Sequence, residues 1–291
     1  MTISLDNITR NYGDEDAELL FTHTNGSKLK ILLHSERPVR VFLITKGQVP
    51  TSIVQFRKAF PMDLIVVPTL GPFEEREAYL EDKTVQSTVN TRIAHRHFRN
   101  HWYRSSPKDF LELQELVSIA WPSISLEKPV LNIGQKPQLS MMFIENRIPR
   151  EIYWSGFGFQ IWLQMMTQMI NAPSESLLVM DEPDIYLHPD LQRKLVRVVT
   201  GKFAQYFIAT HSTEIINEVP IGNVASVSKG AQRAHKVGND EGYRKLLFYI
   251  GSSENAEFSR IARAKRIIFF EGKDKKIYQC FAKKTGNQER F

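Results

Sequence analysis

Cysteine is almost missing. Cys280 is the one thiol in 291 residues, which excludes an internal disulfide framework and a metal site built from cysteines alone. Long apolar runs are missing too: nothing approaches the roughly 18 residues of a membrane span, so no membrane partner is expected. The opening MTISLDNITRNYGDEDAELL has neither the basic start nor the apolar core of a secretion signal, and the chain reads as cytoplasmic. No internal repeat or low-complexity tract is visible. What remains, at 42% hydrophobic and 24% charged, is ordinary for a globular protein with one large core or two modest domains.

The net charge of +6 is uneven. Residues 201–291 carry 16 Lys+Arg against 9 Asp+Glu, while the first 200 carry 22 against 23. A basic final third suits a polyanionic partner or a plain solvated surface equally.

AELLFTHTNGSKLKILL (17–33) predicts a hairpin around Asn25-Gly26. VRVFLI (39–44) and DLIVVP (63–68) have the composition of buried strands. Residues 74–119 read as largely helical with a break at Pro107, and 139–154 as a second hairpin with Asn146 and Pro149 near its turn. From 155 onward helices alternate with the strands SLLVM and YFIAT, then RIIFF at 266–270, the pattern of a parallel α/β sheet.

LLVMDEP (177–183) ends a strand in two acids, and QYFIATHS (205–212) ends the next strand in His211 and Ser212. Strand ends of a parallel sheet face the crevice where α/β proteins bind ligands. Asp181 there could hold Mg²⁺, largely through water, and Glu182 could orient and deprotonate an attacking water. His211 could reach the same water or a terminal phosphate. An isolated Asp-Glu pair is otherwise a solvated strand end. Upstream, WSGFGFQIWLQMM (154–166) puts Gly156 and Gly158 at a helix start, where free amides suit a phosphate or simply cap the helix.

Taken in order, SGFGFQ, LLVMDEP, LHP and ATHS resemble the signature, Walker B, D-loop and switch histidine of ABC-type ATPases. The resemblance is nearest to the RecF/SMC-like branch and its overcoming-lysogenization-defect (OLD) family. It implies an α/β P-loop NTPase lobe with an N-terminal antiparallel β portion and a helical insertion at about 85–120, spanning 1–262. It further implies ATP and Mg²⁺ as cofactors and a head-to-tail homodimer or higher oligomer. Gly156, Gly158 and Gln160 would then meet the partner's nucleotide, and Asp181, Glu182 and His211 would act on their own.

RAKRIIFFEGKDKKIY (263–278) resembles the first strand of a Toprim nuclease domain, which would occupy 263–291. Glu271 would be a metal-binding acid and Gly272 the turn, although the usual second acid is replaced by Lys275 and Asp274 stands one place early. The family's G-x-x-x-x-G-K-[ST] loop is not found; Asn25-Gly26-Ser27-Lys28 and Lys46-Gly47 are only superficially like it. The chain is therefore expected to be a piece of a longer protein, a poor ATP binder by itself. Residues 66–80 occupy the Q-loop position without its glutamine.

TRIAHRHFRNHWYR (91–104) sets Arg92, Arg96 and Arg99 on one helical stripe, with Ala94, Phe98 and Trp102 on another face. The stripe is either a solvated basic face or a contact for DNA phosphates. Together these features suggest the ATPase lobe of an OLD-like, DNA-directed, ATP-dependent endonuclease. Relatives in anti-phage defence make a defence-system partner protein conceivable. The alternative is a catalytically inactive regulatory or DNA-binding subunit; a transporter subunit fits less well.

Overall fold

A computed structural model of the chain describes residues 16–34, 37–45, 50–67, 70–88, 91, 93–170, 172–227 and 234–249. They fall in two compact units, Met1–Glu218 and Val219–Phe291. Lys46, Gly47, Arg92, Glu271 and the whole of 263–291 lie outside the described residues, as does the expected boundary at 262/263.

The first unit opens with β1 (Ala17–Thr22) and β2 (Lys28–Leu33), an antiparallel pair with Thr22 opposite Lys28. Its turn forms at Asn25-Gly26: Gly26 takes φ 85°, and Asn25 Oδ1 accepts the Ser27 amide at 2.9 Å. β3 (Arg40–Ile44) pairs with β2. The expectation that 39–44 is a buried strand is corrected, because Val41, Phe42 and Ile44 are 55%, 45% and 51% exposed. Branched and aromatic side chains favour an extended backbone; burial needs a packing partner, and much of this sheet stays open on both faces.

α1 (Ile53–Ala59), capped by Ser52, leads to β4 (Leu64–Val67). Residues 74–119 hold a two-residue strand, β5 (Glu77–Ala78), followed by α2 (Asp82–Thr88), a 3-10 turn (Ala94–His97), α3 (Phe98–Arg104) and α4 (Pro107–Ala120). Pro107 opens α4 at its first position, where no amide is needed, and Ser106 Oγ accepts the Asp109 amide at 3.1 Å.

Five short strands follow: β6 (Ile124–Leu126), β7 (Val130–Asn132), β8 (Gln138–Ser140), β9 (Met142–Glu145) and β10 (Ile148–Glu151). They form the sheets β5-β8-β7 and β10-β9-β6. The second hairpin is β9-β10, and its turn is Asn146-Arg147 at φ 53° and 66°. Two left-handed residues match a tight turn to the twist of its strands. Pro149 lies inside β10 opposite Ile144, on an edge strand where a missing amide is tolerated.

Helix and strand then alternate: α5 (Phe157–Ile170), β11 (Leu177–Asp181), α6 (Pro189–Lys202), β12 (Gln205–Ala209) and α7 (Thr213–Glu218). β11 runs parallel between β12 and β4, with Met180 in register with Ile208 and Val67. Leu178, Met180 and Val67 belong to the core, with Tyr206, Ile208 and Ile65 packed against it. The opposite face carries Leu64, Val66 and Phe207, exposed at 48%, 42% and 67%. The reading of 63–68 as a buried strand is therefore corrected to a strand buried on one face. α5 is apolar nearly all round, as a central helix must be: Trp162, Leu163, Met166 and Met169 are fully buried.

The second unit has a 3-10 turn (Ile221–Asn223), β13 (Ala225–Ser226) paired with β14 (His235–Lys236), and α8 (Asp240–Tyr249). Among the described residues no helix is long and apolar enough to cross a membrane.

Candidate functional site

Parallel pairing carries β11 and β12 out of the sheet at the same level. Asp181 is in register with Ala209, and the Glu182 amide donates to the Ala209 carbonyl at 2.8 Å. One residue later the strand ends sharply, because Glu182 takes φ 47°, a left-handed conformation that a non-glycine residue adopts at a cost of about 1–2 kcal/mol. The turn brings the Glu182 carboxylate to the end of β12, where Glu182 Oε1 lies 3.3 Å from His211 Nε2. His211 is 80% exposed and Glu182 33% exposed, so the pair faces solvent while staying in mutual reach. Asp181, also exposed, stands beside them.

A second layer ties the two strand ends together below that pair. Thr210 Oγ1 donates to Asp184 Oδ1. Ser212 Oγ donates to Gln192 Oε1, and Gln192 Nε2 donates to the Leu187 carbonyl at 2.8 Å. Ser212 Oγ also accepts the Glu214 amide at 3.2 Å and so caps the start of α7. His188 caps α6, with Pro189 at its first position. Asp184, Gln192 and Thr210 were not singled out from sequence. The visible signal was the Pro-Asp step after the acids; Gln192 offered only its place four residues after His188.

Gly156 and Gly158 open α5, but for different reasons. The Gly156 carbonyl accepts the Phe159 and Gln160 amides at 3.0 and 3.2 Å, and a Cβ on Gly156 would meet nothing within 4 Å. A Cβ on Gly158 would stand 2.9 Å from the Tyr186 carbonyl oxygen. Glycine at 158 lets the turn after the acid pair close onto the helix start. Gln160 is 3% exposed and directed inward: Oε1 accepts the Phe73 amide at 2.9 Å, and Nε2 donates to the Tyr153 and Ser155 carbonyls at 2.9 and 3.0 Å. In this conformation Gln160 shapes the turn before the helix and presents no group to a ligand. Trp154, Phe157 and Tyr186 surround the glycines and are 73%, 47% and 63% exposed, with the Phe157 and Tyr186 rings 5.3 Å apart.

The arginine stripe is corrected. Residues 94–97 form a 3-10 turn, so α-helical spacing does not carry from Arg96 to Arg99. Arg99 is fully buried, with Nε 2.8 Å and a terminal nitrogen 2.9 Å from the two Glu151 oxygens. Its other terminal nitrogen reaches the Glu74 carbonyl at 3.0 Å and Glu77 at 3.4 Å. Burial pushes the Glu77 carboxyl above its ordinary range, against the opposing pull of donors from Asn100 and Arg99. Arg96 remains exposed, paired with Glu74 at 3.2 Å. Arg99 is a core ion pair and cannot touch DNA.

Asp181 offers a hard, exposed carboxylate of the kind Mg²⁺ takes, and among the described residues no cluster of three acidic, histidine or cysteine groups would hold a metal by protein ligands alone. That donor set fits an ion held mainly by water and phosphate oxygens.

Among solved structures the chain is similar to an SMC head domain with an extended coiled coil bound to the C-terminal domain of ScpA from Pyrococcus furiosus, at 12% identity and TM-score 0.46, covering 77% of this chain and 75% of that one. It is also similar to the SMC head domain from Thermotoga maritima, at 11% identity and TM-score 0.43, covering 76% and 73%. Among curated proteins it is 28% identical over 123 residues to protein ea59 of Escherichia phage lambda, covering 40% of this chain and 23% of that protein. The chain thus spans about a quarter of the length of that relative. Residues 48–217, more than half of the chain, match the family model described as "AAA domain, putative AbiEii toxin, Type IV TA system", and they include every described residue of the site. The chain belongs to this AAA-domain family.

Proposed function

We propose that this chain is the ATP-binding and hydrolysing module of a larger nucleotide-driven machine. The observation that carries the reading is the 3.3 Å contact between Glu182 and His211 at the ends of adjacent parallel strands. In this role Glu182 holds and deprotonates the attacking water. The water oxygen bonds to the γ-phosphorus, the bond to the β–γ bridging oxygen breaks, and ADP departs. His211 donates its Nε2–H to the Glu182 carboxylate and so keeps the base in place beside the γ-phosphate. Asp181 would hold Mg²⁺, which supplies charge neutralisation on the phosphate oxygens.

Gly156 and Gly158 lie on the turn that opens α5 and serve the nucleotide of a second copy in a head-to-tail dimer. The exposed rim of Trp154, Phe157 and Tyr186 supports that arrangement. The finer identity, an OLD-like ATP-dependent endonuclease with a Toprim domain, rests on the sequence around Glu271 and Gly272. DNA as its target, and a role in anti-phage defence, rest on the same resemblance and draw no support from Arg96 or Arg99.

A second reading is a regulatory subunit that has the strand-end residues without turnover; no G-x-x-x-x-G-K-[ST] loop lies within these 291 residues, so the first reading needs a phosphate-cradling loop supplied from outside them. Glu182→Gln separates the two. If the protein hydrolyses ATP, the variant should lose turnover by about 10²-fold or more, the scale of a general base, while retaining ATP binding. Absence of turnover in the intact protein from its source cells would favour the regulatory reading. Turnover surviving in Glu182→Gln would remove Glu182 from the role of base.

A further inference from the structure

The buried side chain of Gln160 bonds three backbone groups that belong to two separate segments. Nε2 gives one proton to the Tyr153 carbonyl and the other to the Ser155 carbonyl, at 2.9 and 3.0 Å, which uses both. Oε1 accepts the Phe73 amide at 2.9 Å. An apolar side chain of the same size would leave that buried amide unmet, at a cost of about 1–3 kcal/mol.

The two segments lead to different places. β4 runs parallel to β11 with Val67 opposite Met180, so the chain leaves β4 at the end of the sheet that carries Asp181 and Glu182. Farther along, Gln164 Nε2 holds the Gly71 carbonyl at 2.8 Å, and the buried Phe73 ring packs 4.4 Å from Phe98. The other segment joins β10 to α5. There Glu151 accepts the Tyr153 amide at 2.7 Å, and Ser155 Oγ donates to the Ile152 carbonyl at 2.6 Å. Trp154 stands between the two carbonyls that Gln160 holds, with its side chain 73% exposed. One buried amide thus fixes the backbone on both sides of an exposed indole.

We infer that Gln160 is a positioning residue, tying residues 71–73 to the turn that carries Trp154 and Gly156. Through it, the sheet end that carries Asp181 and Glu182 governs the face offered to a second copy of the chain. The motif resemblance by itself would put the Gln160 amide on the second copy's nucleotide, but both of its protons are already committed. The tether stands on the geometry alone; its effect on a second copy rests on the ATPase reading proposed above.

Fluorotryptophan in the intact protein, with the Trp154 signal assigned by Trp154→Phe, reads the tether without nucleotide. Pro72 is exposed, and Pro72→Gly loosens residues 71–73 because glycine frees a backbone that proline restricts. The change should shift or broaden the Trp154 signal while Gln160 is present, and add nothing in the Gln160→Met protein. Gln160→Glu keeps the acceptor for Phe73 and loses both donors, and it repeats the comparison should Gln160→Met fail to fold. A Trp154 signal that ignores Pro72→Gly, or answers it equally in both backgrounds, would overturn the tether.

Mixing variants tests the role between copies. Gln160→Met and Glu182→Gln proteins, each slow alone, should together hydrolyse ATP several-fold faster than either. In a mixed head-to-tail dimer one site then joins an intact Glu182 to an intact turn. No gain on mixing would confine Gln160 to its own subunit's site and overturn the role in trans. Hydrolysis absent from the intact protein would count against the ATPase reading, and the fluorine signal would still decide the tether. An unresponsive Trp154 beside normal hydrolysis would remove the tether alone.

Discussion

Gly158 on α5 and Tyr186 in the turn after the acid pair meet so closely that a Cβ on Gly158 would stand 2.9 Å from the Tyr186 carbonyl oxygen. The obstructing atom is backbone, and Tyr186 is itself held at φ 67°, so neither side can yield cheaply. Gly158→Ala should cost about 1–3 kcal/mol, the scale of overpacking. Gly156→Ala meets nothing within 4 Å and should change stability by about 1 kcal/mol or less, the worth of a helix cap. Urea unfolding of both variants reads the difference. Equal midpoints would mean that the turn does not rest on the helix as described.

Arg99 predicts a different contrast. Removing a buried cation leaves Glu77 and Glu151 facing each other without it, and breaking such a pair typically costs about 3–5 kcal/mol. Arg99→Met should therefore unfold at much lower denaturant. Arg96→Gln, which loses only an exposed pair with Glu74, should stay within about 1 kcal/mol of the parent. If Arg99→Met kept its stability and instead lost affinity for DNA, the stripe read from the sequence would be restored.

The contrast shows where sequence was legible. Strand ends were: LLVMDEP and QYFIATHS follow one another through a single helix, and right-handed parallel connection leaves few places for Glu182 except beside His211. Turn chemistry at Asn25-Gly26 was equally plain, since it is local. Arg99 was opaque because a charged residue between Phe98 and Trp102 has no sequence mark that tells a solvated face from a core pair. Its partners, Glu77 and Glu151, are 22 and 52 residues away. Val41 and Ile44 misled for a related reason: composition reports what a strand would bury, not what is present to cover it. Gln160 belongs with them, matching a motif position while turning its amide into the fold.

Acid should destabilise the first unit earlier than its carboxylates alone would cause. His101 and His97 have their proton affinity lowered, chiefly by burial, and for His97 also by the charges of Arg96 and His95; Asp109 opposes the effect at His101. A depressed histidine contributes stability that is fully present above its unfolded value of about 6.5 and is lost as pH falls through the folded value. The urea midpoint should therefore drop between pH 7.5 and 5.5. In the double variant His97→Gln, His101→Gln that drop should shrink. An identical slope would assign the acid sensitivity to other groups.

Gln192 offers the sharpest test of how the strand ends are held. It donates to the Leu187 carbonyl, in the turn following the acids, and accepts from Ser212, in the turn following His211. Asp184 and Thr210 repeat the connection on the same two segments. None of the four needs to touch a nucleotide, so they act by fixing the distance between Glu182 and His211. Gln192→Leu leaves Ser212 to find water and frees the Leu187 carbonyl. If the protein turns over ATP, the variant should lower kcat about tenfold or more with little change in KM, because an interaction made mainly in the transition state is the one misplaced. Gln192→Glu retains the acceptor for Ser212 and should recover part of the loss. A variant with raised KM and unchanged kcat would mean that the relay supports binding of the nucleotide, and that the Glu182–His211 distance is set elsewhere.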